Sequence, residues 1–191
     1  MPASPASLKE KAVKYSIPNV VAFTIAALIA FSTVLRAEEP KELSHLRREY
    51  QLLKHASEAD RVRYITRLVR LRETFSRLDE VALLAIDAEI IRHPMSSAVD
   101  SKALSKTLVG QWQSPRHSYF YHNDGTWASD EDIPMATGGT WRIERNRFFQ
   151  NYHGNQPDPG NTIILLTDTD FIYGTEIAPY YLRKGTVFPW H

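Results

Sequence analysis

Four histidines fall in the last third of this 191-residue chain, His117, His122, His153 and His191, and they are its best groups for holding a metal or moving a proton near neutral pH. His122 and Asp124 flank one turn and His153 lies near another, so loops could gather His117, His122 and His153 into a metal-dependent hydrolase. None has the i, i+4 spacing or dense ligand clustering of a zinc motif, and surface or half-buried histidine is the better reading. The chain has no cysteine, which excludes disulfides, thiolate metal sites and thiol nucleophiles. No Gly-x-Ser-x-Gly elbow occurs, and Gly138-Gly139 opens a strand rather than a helix, so a phosphate loop is missing too. The acidic runs Ser129-Asp130-Glu131-Asp132 and Asp168-Thr169-Asp170 lack the twelve-residue pattern of a calcium loop. The sequence therefore predicts a non-enzyme with no catalytic residues, no metal ligands and no cofactor.

Aromatic side chains are the stronger lead. Every Trp, all eight Gly and six of the nine Tyr lie at or beyond Gly110. Tyr119, Tyr121, Trp127, Trp141 and Tyr180 are the candidate ligand-binding residues, and a small apolar or glycan ligand is the expected occupant. Tyrosine offers a flat apolar face with a polar tip. Tyr119 and Tyr121 alternate with Phe120 and His122, so one pair faces inward. A two-residue Asp124-Gly125 turn would set His122 beside Trp127, while a longer loop would set Tyr121 there. Tyr180-Tyr181 poses the same choice. The plain alternative is packing: Trp127, Trp141, Ile143, Phe148, Ile163, Leu165 and Phe171 could simply fill a small barrel.

The elements that carry these residues are short strands, expected at 108–113, 116–122, 126–129, 140–144, 147–152, 162–167, 171–175 and 180–184. Turn-forming residues join them: Asn123-Asp124-Gly125, Arg145-Asn146, Asp158-Pro159-Gly160 and Asp168-Thr169-Asp170. Such spacing, without intervening helices, predicts an antiparallel meander that closes, since an open sheet would expose its edges.

Three motifs in order resemble small lipocalin-like domains of exported bacterial proteins: Leu108-Val109-Gly110-Gln111-Trp112, the run Tyr119–Trp127 with Asn123-Asp124-Gly125-Thr126, and Gly139-Thr140-Trp141-Arg142-Ile143 ending at Asn146. The resemblance spans roughly residues 106–185 and implies a β-barrel, with no shared reaction. It also implies that a basic residue near the chain's end closes over the opening Trp, and Arg183 is paired with Trp112 on that ground. A cation over an indole face contributes about 0.5–2 kcal/mol.

Residues 40–93 contain no Gly and a single proline, Pro40. Leu43, Leu46, Tyr50 and Leu53 form one helical stripe; Tyr64, Leu68, Leu71 and Phe75 form another, introduced by Ser57 and Asp60 as an N-cap pair. A broader apolar pattern runs from Leu78 to Ile91, either continuing that helix or starting a third near Ser76, and Pro94 ends it. The second stretch is basic and the third acidic, which suits antiparallel packing as a helical hairpin or short coiled coil. The stripe Tyr64, Leu68 and Leu71 could instead oligomerise the chain or dock a protein partner. Residues 95–105 read as a linker.

Residues 1–37 carry a net charge of +3 and an uncharged run from Val20 to Leu35, leaving the remainder at −2. Lysines, an apolar stretch and small residues follow in the order of a secretory signal, with cleavage after Ser32 or Ala37; retained, the segment would anchor the chain in a membrane. Either way an exported location, periplasmic, secreted or anchored, is expected. The near-neutral body has no footprint for nucleic acid. The predicted organisation is a signal over 1–37, a helical hairpin over 38–94, a linker over 95–105 and an antiparallel barrel over 106–191, an α+β protein serving as a binding or structural module of the cell envelope.

Overall fold

The structure, a computed structural model, describes residues 39–130, 137–152, 158–174 and 177–185. The apolar N-terminal run, Glu131, Asp132, His153, Trp190 and His191 lie outside the described residues, and no described helix is long and apolar enough to cross a membrane.

Helix α1 (Lys41–Gln51) begins directly after Pro40 and buries Leu43 and Leu46. Helix α2 (Glu58–Arg72) opens on a capping box: Ser57 Oγ accepts from Asp60 N at 3.2 Å, and Asp60 Oδ2 accepts from Ser57 N at 3.1 Å. Those Ser57 bonds hold the Asp60 carboxyl below its usual range. The chain leaves helical geometry after Arg72. Asp79 Oδ2 then accepts from Ser76 N and Oγ, and helix α3 (Glu80–Ile91) follows as a separate element.

The three helices do not stand apart from the β region. Leu43, Tyr64, Ile65, Leu68, Ile86 and Ile90 share one buried cluster with Ile164, Leu165, Ile172 and Tyr181. The stripe read as a hairpin seam thus faces a barrel wall, each buried side chain worth about 1.5–3 kcal/mol, and residues from Glu39 onward form one compact unit. The basic run on α2 is partly consumed by this packing. Arg72 donates to Asp87 on α3 at 2.6 and 3.2 Å, joining the basic and acidic helices as their composition suggested. Arg61, one of the arginines of that basic stretch, is buried, and donates to Ile164 O at 2.6 Å and His93 O at 2.8 Å.

Residues read as a linker contain a further helix, α4 (Ser101–Leu108), capped by Asp100 on Lys102 N at 2.9 Å. It takes Leu108 from the expected first strand, which shrinks to β1 (Gly110–Gln113). The other strands are β2 (Ser118–Tyr121), β3 (Thr126–Ser129), β4 (Gly138–Glu144), β5 (Arg147–Tyr152), β6 (Asn161–Leu166), β7 (Asp170–Gly174) and β8 (Pro179–Lys184). Each pairs antiparallel with its sequence neighbour, and β1 closes on β8, giving the eight-stranded up-and-down barrel. A register shift between Ile163 and Leu165 marks a bulge at Ile164, whose carbonyl is the one Arg61 takes. Gly139 is required by close approach: a Cβ there would lie 1.8 Å from Asn151 O.

One end of the barrel is plugged. Met95, Val99, Leu104 and Leu108 pack onto Trp112 and the lumen cluster. Trp112 Nε1 donates to Leu108 O at 2.6 Å, and Asn146 Nδ2 donates to Met95 O at 2.7 Å.

Candidate functional site

At the other end lie the β1–β2 turn and the C-terminal ends of β3, β5 and β7. There β1 meets β8 through only two pairs, Trp112 with Lys184 and Gln113 with Arg183. Beyond them the chain turns at Ser114, whose Oγ accepts from His117 N at 2.8 Å and Arg116 N at 3.2 Å. This turn leaves the first half of β8 uncovered, and a cavity of about 300 Å³ fills the gap. Its walls are Tyr119, Tyr173, Tyr180 and Tyr181, with Pro115, Arg116 and His117 from the turn and Arg72 from the end of α2. Tyr173 and Tyr180 stack with centroids 5.4 Å apart, and Tyr180 is 55% exposed at the rim.

The β2–β3 connection decides the register left open by the sequence. Tyr121, not His122, lies opposite Trp127, because the chain spends His122 to Gly125 on the turn. Tyr119 and Tyr121 therefore point into the lumen while Phe120 is exposed. Tyr121, Trp127 and Trp141 are packed core residues, at 1%, 2% and 7% exposure. Tyr121 lies edge-on to Trp141 at 5.9 Å and to Phe148 at 5.6 Å. Trp127 Nε1 donates to Asn151 O and Trp141 Nε1 to His122 O, each at 3.1 Å. Of the five candidate aromatics, the structure brings Tyr119 and Tyr180 to the cavity and places the other three in the packed interior.

The cation over Trp112 is Lys184, with Nζ 5.3 Å from the ring centroid and donating to Thr107 O at 3.1 Å. This corrects the pairing of Arg183 with Trp112. Side chains alternate along β8, so Leu182 and Lys184 turn inward and Arg183 turns out, where it bonds Glu73 and, at 3.1 Å, Asp170.

His117 and His122 flank β2 at its two ends, five residue steps or roughly 17 Å of extended chain apart. They cannot share a metal ion, and the described residues contain no group of three metal-ligating side chains. His117 Nδ1 instead faces Asp130 at 3.7 Å.

A second hollow, about 350 Å³, lies between α1 and α2 along Leu46, Tyr50, Leu53, Tyr64 and Arg67. Its polar walls are already engaged: Arg67 pairs with Glu49 at 2.6 Å, and Tyr64 Oη donates to Glu89 at 2.8 Å. Tyr173 and Arg116 escaped the sequence reading, and Tyr181 and Arg72 were not read as site residues, though Tyr173 carries a legible signal as the inward neighbour of Phe171 at strand spacing.

Comparison with known proteins returns no match: no family model, no curated protein and no solved structure matches this chain.

Proposed function

We propose that the chain is an exported, non-catalytic binding module of the cell envelope, a small lipocalin-like barrel whose open end takes a small apolar or glycan ligand. The observation that carries this reading is the tyrosine-walled cavity at the uncovered half of β8. Its volume is at the lower end of small-molecule sites, and its lining of aromatic rings with a few polar groups is their usual composition. The barrel itself and the three ordered motifs support the lipocalin-like likeness; the apolar run from Val20 to Leu35 behind three lysines supports export.

The test is a titration of the full-length protein with decanoate and with methyl glycosides, followed by tyrosine and tryptophan fluorescence. Saturable binding by either class, weakened at least tenfold in Tyr119→Ala and Tyr180→Ala, is the expected result. Indifference of the protein to both classes would overturn the reading.

A second reading, self-association through the helices, is favoured by α3. Leu84 on α3 is 68% exposed, Val81 one turn before it is 38% exposed, and Leu78 in the turn leading into the helix is 93% exposed. Sedimentation should then show a dimer that Leu78→Ser/Leu84→Ser dissociates, and a concentration-independent monomer would end that reading.

A further inference from the structure

The charged walls of the tyrosine-lined cavity are of one sign. Arg72 and Arg116 line it, and no aspartate or glutamate does. The two guanidinium groups differ in what surrounds them. Arg72 donates to Asp87 at 2.6 and 3.2 Å and lies over the Tyr181 ring at 4.6 Å, so its charge is already balanced. Arg116 is exposed at the rim, and among the described residues no carboxylate pairs with it. Asp130 is turned to the neighbouring turn residues instead, facing His117 at 3.7 Å and accepting from Ser118 N at 2.7 Å. The backbone that carries Arg116 is fixed: Ser114 Oγ accepts from Arg116 N at 3.2 Å and from His117 N at 2.8 Å, and Ser114 N donates to His117 O at 2.8 Å.

The remaining walls indicate what such a charge is attached to. Tyr119, Tyr173, Tyr180 and Tyr181 present rings, and Pro115 and Pro179 add two more flat surfaces. Tyr181 Oη donates to Asp87 at 2.5 Å, so this residue offers the cavity its ring and not its hydroxyl. Tyr180 stacks on Tyr173 with the planes 19° apart and is 55% exposed, which leaves ring surface open at the rim. A flat ring can extend such a stack in offset or edge-on geometry, whereas an alkyl chain gains only buried area. A cation would be repelled by the arginines, and a neutral sugar would gain nothing from the charge of Arg116. A cavity of about 300 Å³ is at the small end of ligand sites and suits one ring with a short acid arm.

Resting on the reading of this cavity as a binding site, we infer that its ligand is a small aromatic carboxylate, its ring packed on the tyrosine walls and its carboxylate paired with Arg116. Arg116 is then the residue that selects an acid over its neutral analogue.

Titration calorimetry of the full-length protein near neutral pH with 3-phenylpropionate, 3-phenylpropionamide, decanoate and methyl glucoside tests this. The phenyl acid should bind most tightly, and its neutral amide about fivefold more weakly, the upper range for an exposed ion pair. Salt at about 1 M should erase most of that difference. Arg116→Gln should weaken the acid about fivefold while leaving the amide unchanged, and Arg116→Lys should restore most of the loss. Equal affinity for acid and amide, or an Arg116→Gln protein that binds the acid as the wild type does, would overturn the inference while leaving the cavity a binding site. Tighter binding of decanoate or methyl glucoside than of the phenyl acid would overturn it in the same way. If none of the four probes binds the wild type, the reading of the cavity falls and this inference falls with it.

Discussion

Two buried polar side chains, Glu89 in the helical layer and Gln150 in the barrel lumen, are treated in opposite ways. Glu89 is 3% exposed and saturated with donors: Arg47 at 2.9 and 3.0 Å, Tyr64 at 2.8 Å, and His93 and Arg92 at 3.1 Å each. Around it Tyr50 stacks on Tyr64 at 4.2 Å, and His93 sits edge-on to both rings. Gln150 is as deeply buried but only half satisfied. A saturated buried network locks three helices in one arrangement; a buried donor left open costs stability unless something else uses it. The helical layer is therefore fully satisfied architecture, and the lumen holds a buried donor that packing leaves open.

Removing Glu89 should have the largest effect. Glu89→Ala leaves two arginines, a tyrosine and a histidine without their shared acceptor, and a loss of about 3–5 kcal/mol is expected in urea unfolding. The hydrogen bond from His93, followed by Tyr64 and Arg47, holds the Glu89 carboxyl at about 2 against the opposing effect of burial. Because the folded pKa is depressed, the stabilisation is complete above the unfolded value near 4.3 and is lost as pH falls toward 2. On the order of 3 kcal/mol should disappear across that window. Glu89→Gln should flatten this part of the stability profile, and an unchanged acid limb would show that the network does not stabilise the fold.

Next come the two adjacent cations on β8. Arg183 joins Glu73 after α2 to Asp170 on β7, and all three side chains are largely buried. Arg183→Met should cost about 2–4 kcal/mol, because it leaves Glu73 with Arg70 and Asp170 with Thr169 but without the cation between them. Lys184→Met gives up its place over Trp112 and its bond to Thr107 O, about 1 kcal/mol. Equal losses, measured as thermal midpoints, would contradict the division of labour between these neighbours.

Gln150→Met should fall at the other extreme, leaving stability unchanged or raising it by up to about 1 kcal/mol, because the orphaned donor goes while the volume stays. A loss as large as that of Glu89→Ala would mean the amide is structural. The smallest expected change is at Arg145, the one non-glycine described residue with positive φ, at 56°. Arg145→Gly relieves that strain and should add a few tenths to about 1 kcal/mol, visible as a small rise in unfolding midpoint with no change in binding.

Much of this architecture was legible from local pattern. Ser57 with Asp60 announced α2, and the alternation of Trp141, Ile143, Phe148 and Phe171 set the inward faces of β4, β5 and β7. What local pattern could not carry was tertiary. Ser101 to Ser105 read as the end of a linker and Leu108 as the start of a strand, yet they belong to one helix whose Leu104 and Leu108 plug the barrel. Arg61 and Arg72 belong to a stretch legible only as basic, and it is the Ile164 bulge and Asp87 that draw them in. Arg183 and Lys184 differ by one position, and only the β1–β8 register tells which faces Trp112. Tyr119 and Tyr180 were found by type and strand spacing. Tyr173 and Gln150 needed the closed barrel, because their neighbours come from strands far apart in sequence.

The most direct test of the central proposal, that the tyrosine-walled cavity takes a small ligand, is ¹H–¹⁵N NMR of the full-length protein during titration with a methyl glycoside and with decanoate. Saturable movement of the backbone amides of Tyr119, Tyr173 and Tyr180 is the predicted result. Shifts confined to the helices, or none with either probe, would contradict it.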